Sequence, residues 1–235
     1  GWLDWDFLTS FASRRPEEAG IKAAIAGTFW MMSITAPLAF IIGVATAIYL
    51  EEYARDTRLS RLIQTNISNL AGVPSIVYGL LGLTIFVRVF AFGASILSGA
   101  LTMTLLILPI IIVSAQEAIR AIPVSQRHAS FALGANRWQT IVRVVLPSAF
   151  PGILTGSILA FSRAIGETAP LIVVGAVAYI ARMPESVFSQ FTVMPIQIFT
   201  WASLPQEEFQ HVSSAGIIVL LFMLLTMNAL AIFLR

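Results

Sequence analysis

Apolar positions in this chain come in long uncharged runs, and the charge gathers in the short stretches between them. A helix needs about 20 apolar residues to cross a bilayer. Residues 23–50 carry no charge and predict a first span. Residues 62–116 contain Arg88 as their only charged residue, beside the turn-like AFGAS at 91–95. That stretch divides into spans near 66–88 and 96–116. A fourth span is predicted near 150–180 and a fifth at 213–234. Backbone within lipid must pair internally, so the fold class is all-α: one polytopic transmembrane helical bundle over 1–235, with about five spans.

The connecting stretches carry their own patterns. Residues 51–64, EEYARDTRLSRLIQ, mix both signs of charge with Leu59, Leu62 and Ile63. They suit a short interfacial helix or a solvated loop. Pro37, Pro74 and Pro109 fall within spans, where kinks are tolerated. Gly72, Gly79 and Gly82 would let helices approach closely. The loop 117–149 contains a short helix at Ala129 to Leu133, ended by Gly134, which adopts positive φ at low cost. A second helix follows, with Trp138, Ile141, Val142 and Val145 on one apolar face. Pro147 and Pro151 mark the turn into the next span. Two short helices meeting at a glycine make a protruding knob, suited to a groove on a soluble partner. An amphipathic helix lying on the membrane surface fits the periodicity equally.

Composition supports the membrane reading. Charged residues make up 11% of the 235, against about 25% in soluble domains. The absence of cysteine excludes disulfides, thiolate metal sites and a cysteine nucleophile. His128 and His211 are too few for a multi-His metal centre, so no metal site is expected. No signal peptide is visible, and a chain opening on Gly1 is expected to be truncated or processed. With Arg235 inside, Arg55, Arg58, Arg61, Arg120, Arg127, Arg137 and Arg143 join it, eight cations against Arg14, Arg15, Lys22, Arg88 and Arg182 outside. That asymmetry places the loop 117–149 in the cytoplasm and the segment 1–20 on the outside.

One pair stands out chemically. Arg163 and Glu167 are the only charges in residues 152–180. Four apart on a helix, they share a face. A charge at the bilayer centre costs roughly 2.5–3.5 kcal/mol on insertion scales. Such residues line a transport path or pin neighbouring helices as an ion pair. With no Cys and no second buried carboxylate, no catalytic pair is present and the chain is not expected to be an enzyme. No Gly-x-x-x-x-Gly-Lys-[Ser/Thr] occurs, so it does not itself bind ATP.

The loop resembles the EAA loop of type I ABC-importer permeases: Glu-Ala-Ala, two residues, Leu-Gly-Ala, and a downstream Leu-Pro. Here the residues are His128-Ala129-Ser130, Leu133-Gly134-Ala135 and Leu146-Pro147. His128 and Ser130 depart from the pattern. The octad Arg163-Ala-Ile-Gly-Glu-Thr-Ala-Pro170 is similar to a signature of phosphate-importer permeases. Gly72-Val-Pro-Ser-Ile-Val-Tyr-Gly79, Leu108-Pro109, Met194-Pro-Ile-Gln-Ile198, Trp5-Asp-Phe-Leu8 and Arg14-Arg-Pro-Glu-Glu-Ala-Gly20 extend the likeness over nearly the whole chain.

The resemblance implies a permease subunit of an ATP-driven phosphate importer in the bacterial inner membrane. The family usually has six spans, so one would precede Gly1. A substrate path would run past Arg163, Glu167, Thr168 and Ser75. His128, Ala129, Ser130, Phe131, Leu133, Gly134, Ala135 and Arg137 would couple to the ATPase. Implied partners are a second permease giving a heterodimer, a dimeric ATPase carrying ATP and Mg, a periplasmic phosphate-binding protein and membrane lipid, with no nucleic acid and no cofactor on this chain. Arg suits bidentate contact with phosphate. Glu167 could hold Arg163 at rest, repel a lingering anion, or accept a hydrogen bond from protonated phosphate. Alternatives are a sulfate or molybdate permease, or a secondary transporter or channel; the knob and the absence of an evident inverted repeat weigh against the last two.

Overall fold

The computed structural model describes residues 2–233; Gly1, Leu234 and Arg235, the last counted on the inside above, lie outside it. The chain opens with α1 (Trp5–Thr9) and a 3-10 turn (Pro16–Glu18). Then α2 (Lys22–Ile48) is prolonged by a π turn at Tyr49–Tyr53. After it come α3 (Arg58–Leu70) and α4 (Ser75–Gly82), α4 being prolonged by a π turn at Leu83–Val89. Next are α5 (Ile96–Arg120), α6 (Val124–Ala132) and α7 (Arg137–Thr140), which continues through a π turn at Ile141–Val145 into α8 (Leu146–Gly166). The chain finishes with α9 (Ala169–Val174), α10 (Met194–Ala202) and α11 (Glu207–Phe233). Among the described residues, four helices are long and apolar enough to cross a membrane: 22–53, 96–120, 137–166 and 207–230.

Helix α5 is the axis. Its apolar stretch is 67% buried within the chain, against 28, 28 and 22% for the other three. The parallel register of α2 on α5 is fixed by two side-chain bonds of equal offset. Thr35 Oγ1 donates to Ala100 O at 3.1 Å, and Gln116 Nε2 donates to Glu51 Oε1 at 2.8 Å, each spanning 65 positions. Helix α8 runs antiparallel: its start packs Val145 and Ala149 with Ala115 and Ile119 of α5. Its end packs Ala160 and Ala164 with Ala100 and Met103. At the opposite end of the bundle, Phe7, Ile21, Trp201 and Phe209 form a second core. Irregular backbone from 176 to 193 folds over the start of α5, where Ser189 O and Val187 O accept from Ile96 N and Leu97 N. These bonds satisfy amide groups that a helix start leaves orphaned.

Two expected spans are broken, for one reason. A proline ring clashes with the carbonyl four residues back and supplies no amide to it. Pro74 lies four beyond Leu70, where α3 stops; α4 then leaves at 104°. The span expected at 66–88 is therefore a bent pair. Pro170 lies four beyond Gly166, where α8 stops. The span expected at 150–180 runs instead from 137 to 166. Its start is also a correction. Pro147 and Pro151 do not mark a turn: the π turn before Pro147 shifts the hydrogen bonds there, Leu146 N reaching Ile141 O, and Pro151 lies inside the continuous helix α8.

Other boundaries shift. Glu51 to Tyr53 belong to the end of α2, and the amphipathic helix expected over 51–64 is α3, capped by Thr57 Oγ1 accepting from Ser60 N at 3.2 Å. The last span begins at Glu207, ahead of the expected 213. Gly82 abuts Thr102 of α5 and Gly79 abuts Pro170 of α9, as close approach predicts; Gly72 meets only Asn69 O, in its own turn.

Candidate functional site

The loop after α5 builds the knob that its glycine predicts. Gly134 has φ +81°, and the end of α6 closes with Gly134 N bonded to Phe131 O and Ala135 N to Ser130 O. This is the paired 5→2 and 6→1 arrangement of a Schellman motif. Asn136 then starts α7 in a capping box: its Oδ1 accepts from Gln139 N at 2.8 Å, and Gln139 Oε1 accepts from Asn136 N at 2.9 Å. The Ser130 and Thr140 hydroxyls meet at 2.9 Å and join the two helices.

The knob presents apolar groups outward. Leu133 is 90% exposed, and Phe131 and Trp138 are exposed beside it. His128, Ala129 and Gly134 are exposed too, while Ser130 and Ala135 are partly covered. The apolar face expected at 138, 141, 142 and 145 divides: Ile141 and Val145 are buried in the bundle, whereas Trp138 and Val142 face outward. Such a divided helix is anchored on one side and free on the other. Arg137 lies back over the Tyr53 ring, 5.2 Å from its centroid.

Arg163 and Glu167 sit at the second helix break. Arg163 is in the last turn of α8; Glu167 is the first residue beyond it, extended at φ −78° and ψ 130°. The pair survives the break: Nε meets Oε1 at 3.3 Å, with the Arg163 side chain 46% exposed and that of Glu167 20% exposed. The contact uses Nε, and among the described residues both terminal nitrogens of the guanidinium are left for a bidentate partner. Thr168 caps α9 at the same break with no side-chain bond to it. Ser75 opens α4 beyond the other break, one turn from Gly79 and its contact with Pro170. Among the described residues no hydrogen bond joins Ser75 to the pair. The two broken helices thus pack on each other through α4 and α9, the placement in which interrupted helices line cavities.

A family model described as binding-protein-dependent transport system inner membrane component matches residues 39–235. The chain belongs to that family. Among the permease's relatives, the probable ABC transporter permease protein YqgI of Bacillus subtilis is 33% identical, over 92% of this chain and 74% of its own length. The phosphate transport system permease protein PstA 1 of Mycobacterium tuberculosis H37Rv is 36% identical, over 94% and 71%. PstA of Xylella fastidiosa Temecula1 is 30% identical, over 99% and 81%. The fold is that of type I ABC-importer permeases. A chain of the inward-facing MetNI methionine ABC transporter superposes with a TM-score of 0.73 at 17% identity, over 90% of this chain and 94% of that one. A bacterial alginate ABC transporter gives 0.66 at 15%, over 89% and 78%.

The geometry adds residues that sequence reasoning missed. Three consecutive side chains at the end of α2 each hold a different element of the permease. Glu51 takes a bidentate contact from Arg120 of α5 (Nη2 at 2.6 Å, Nε at 3.0 Å) and a bond from Gln116, whose amide is paired reciprocally with Gln64 of α3. Glu52, 9% exposed, takes Arg127 of α6 on Oε1 at 3.0 and 3.3 Å. Tyr53 carries Arg137. The signal was visible in part: paired acids close an apolar span, and Gln116 interrupts another. Their partners lie 52–75 positions away, which no local pattern supplies.

Proposed function

We propose that this permease is one membrane-spanning half of an ATP-driven importer of inorganic phosphate in the bacterial inner membrane. The observation that carries the reading is its 30–36% identity, over nearly all its length, to proteins named as phosphate transport system permeases. Phosphate is an anion that must shed water to cross, so it needs charge-assisted donors on the way. Arg163 supplies them at a helix break, with a guanidinium its own chain leaves half uncovered. Lipid is an unfavourable neighbour for that charge, so Arg163 faces a wet path shared with a second permease. Glu167 orients it through Nε, and Thr168 at the same break and Ser75 at the other add hydroxyl donors.

The exposed Phe131, Leu133 and Trp138 dock the knob into a dimeric cytoplasmic ATPase, which holds ATP and Mg and performs the hydrolysis. A periplasmic binding protein delivers phosphate at the opposite end of the bundle. The test is ATP-dependent uptake of labelled phosphate by proteoliposomes holding the whole complex. Uptake that excess phosphate suppresses and excess sulfate or molybdate leaves intact supports the reading. Sulfate or molybdate uptake in its place overturns the substrate, and uptake without the ATPase overturns the importer class.

A further inference from the structure

The knob is tied to the bundle in an unusual way. Helix α6 buries no residue, and α7 buries only Thr140. Apolar packing therefore does not hold α6 down. Two polar links hold it: the Ser130–Thr140 hydroxyl pair to α7, and Arg127, whose side chain is 18% exposed against 11% for Glu52. Besides Glu52, its Nη1 donates to Ile122 O at 2.8 Å and its Nη2 to Ile119 O at 3.0 Å. Those carbonyls lie at and just beyond the C-terminal end of α5, where a helix leaves acceptors unpaired and favours a cation. One guanidinium thus joins α6, the end of α2 and the end of α5.

The π turn at Tyr49–Tyr53, closed by Ala54 N to Tyr49 O at 2.8 Å, makes the hub possible. An i→i+5 turn packs more residues per turn than an α-helix, fanning successive side chains through smaller angles. Glu51, Glu52 and Tyr53 consequently reach α5 and α3, α6, and α7 in turn.

We propose that Glu51, Glu52 and Tyr53 form a transmission hub, Arg127 being its positioning residue, which makes the knob move as one body with the ends of α2 and α5. The inference rests on the importer reading above: a force applied to the knob by its ATPase has two routes inward. One is the continuous helix from Arg137 to Gly166. The other is this polar hub, which ties α6 and the end of α2 to the end of α5, where Val145 and Ala149 already pack on Ala115 and Ile119. Without the hub, the ATPase would still bind the knob and hydrolyse ATP, but only the apolar packing of α8 would carry the motion to the ends of α2 and α5, and it would reach them incompletely.

The test uses the whole reconstituted complex and reads phosphate taken up per ATP hydrolysed. Glu52→Gln, Arg127→Gln and the double variant should bind the ATPase and hydrolyse ATP, while uptake per ATP falls about tenfold. The double variant should be no worse than Arg127→Gln alone, because the Glu52 contact is one of the links that Arg127 makes. An unchanged ratio in assembled complexes, or losses that multiply, overturns the hub. Should the single variants fail to assemble, Glu52→Cys with Arg127→Cys, joined by a bifunctional thiol reagent of matching span, decides the matter; the chain has no native cysteine. The link should restore both assembly and the ratio; restored assembly without transport overturns the proposal. A wild-type complex that takes up no phosphate overturns the importer reading, whereas a coupled wild type with equally coupled variants overturns the hub alone.

Discussion

Arg163 and Glu167 show how little a charge pair says until its setting is known. On one apolar helix they could be a buried structural pair, and removing one partner of such a pair costs about 3–5 kcal/mol. The structure puts them across a helix break in a single contact at 3.3 Å, with the Arg163 side chain 46% and that of Glu167 20% exposed. With one partner half in solvent and no second hydrogen bond, the pair belongs nearer the surface range, on the order of 0–1 kcal/mol. Glu167→Gln is therefore expected to leave the thermal midpoint of the assembled complex within about 2 °C of wild type, an effect at the low end for a domain of this size, while changing uptake or its coupling to ATP. Arg163→Gln should abolish phosphate uptake in proteoliposomes without loss of assembly. Arg163→Lys should recover only part of it, since an ammonium cannot reproduce the planar fork. Normal uptake by Arg163→Gln would remove this residue from the path.

At the scale of elements, glycine and proline decide the shapes. Gly134 holds φ +81°, a conformation that costs a side-chain-bearing residue roughly 1–2 kcal/mol and a β-branched one more. Gly134→Val should distort the Schellman turn between α6 and α7. The expected outcome is normal membrane insertion with weakened co-purification of the ATPase; full retention and normal transport would refute docking at this turn. Gly82 abuts Thr102 where α4 meets α5. Gly82→Leu should destabilise the bundle by about 1–3 kcal/mol through overpacking, read as an earlier thermal unfolding in detergent. These positions were legible from sequence because backbone freedom is a local property. The same rule placed Pro74 in a kink and missed a 104° turn, because how far a proline break opens depends on what the two halves pack against.

For the whole molecule, the decisive relation is the polarity of α5. Its start lies under the 176–193 segment and its end carries the knob. Gln190, exposed at the first end, and Ser125, exposed at the second, therefore sit on opposite sides of the membrane. Gln190→Cys should react with an impermeant thiol reagent applied to intact spheroplasts, and Ser125→Cys only after lysis. The reverse pattern would invert the topology while leaving the fold intact.

The sequence by itself determined that this chain is a helical membrane bundle, where its apolar runs lie, and that a glycine-hinged knob follows the central span. Each depends on hydropathy or φ at neighbouring positions. Only the tertiary structure decided that α5 is the axis, that Ile141 and Val145 turn inward while Trp138 and Val142 turn out, and that α8 ends beside Arg163. It alone united Glu51, Glu52 and Tyr53 with Gln116, Arg120, Arg127 and Arg137. The reason is register: partners separated by 65 positions meet because α2 lies parallel to α5 at one fixed offset, and Arg127, 75 positions from Glu52, meets it because α6 follows directly on the end of α5. That offset is set by packing along the whole length of both helices.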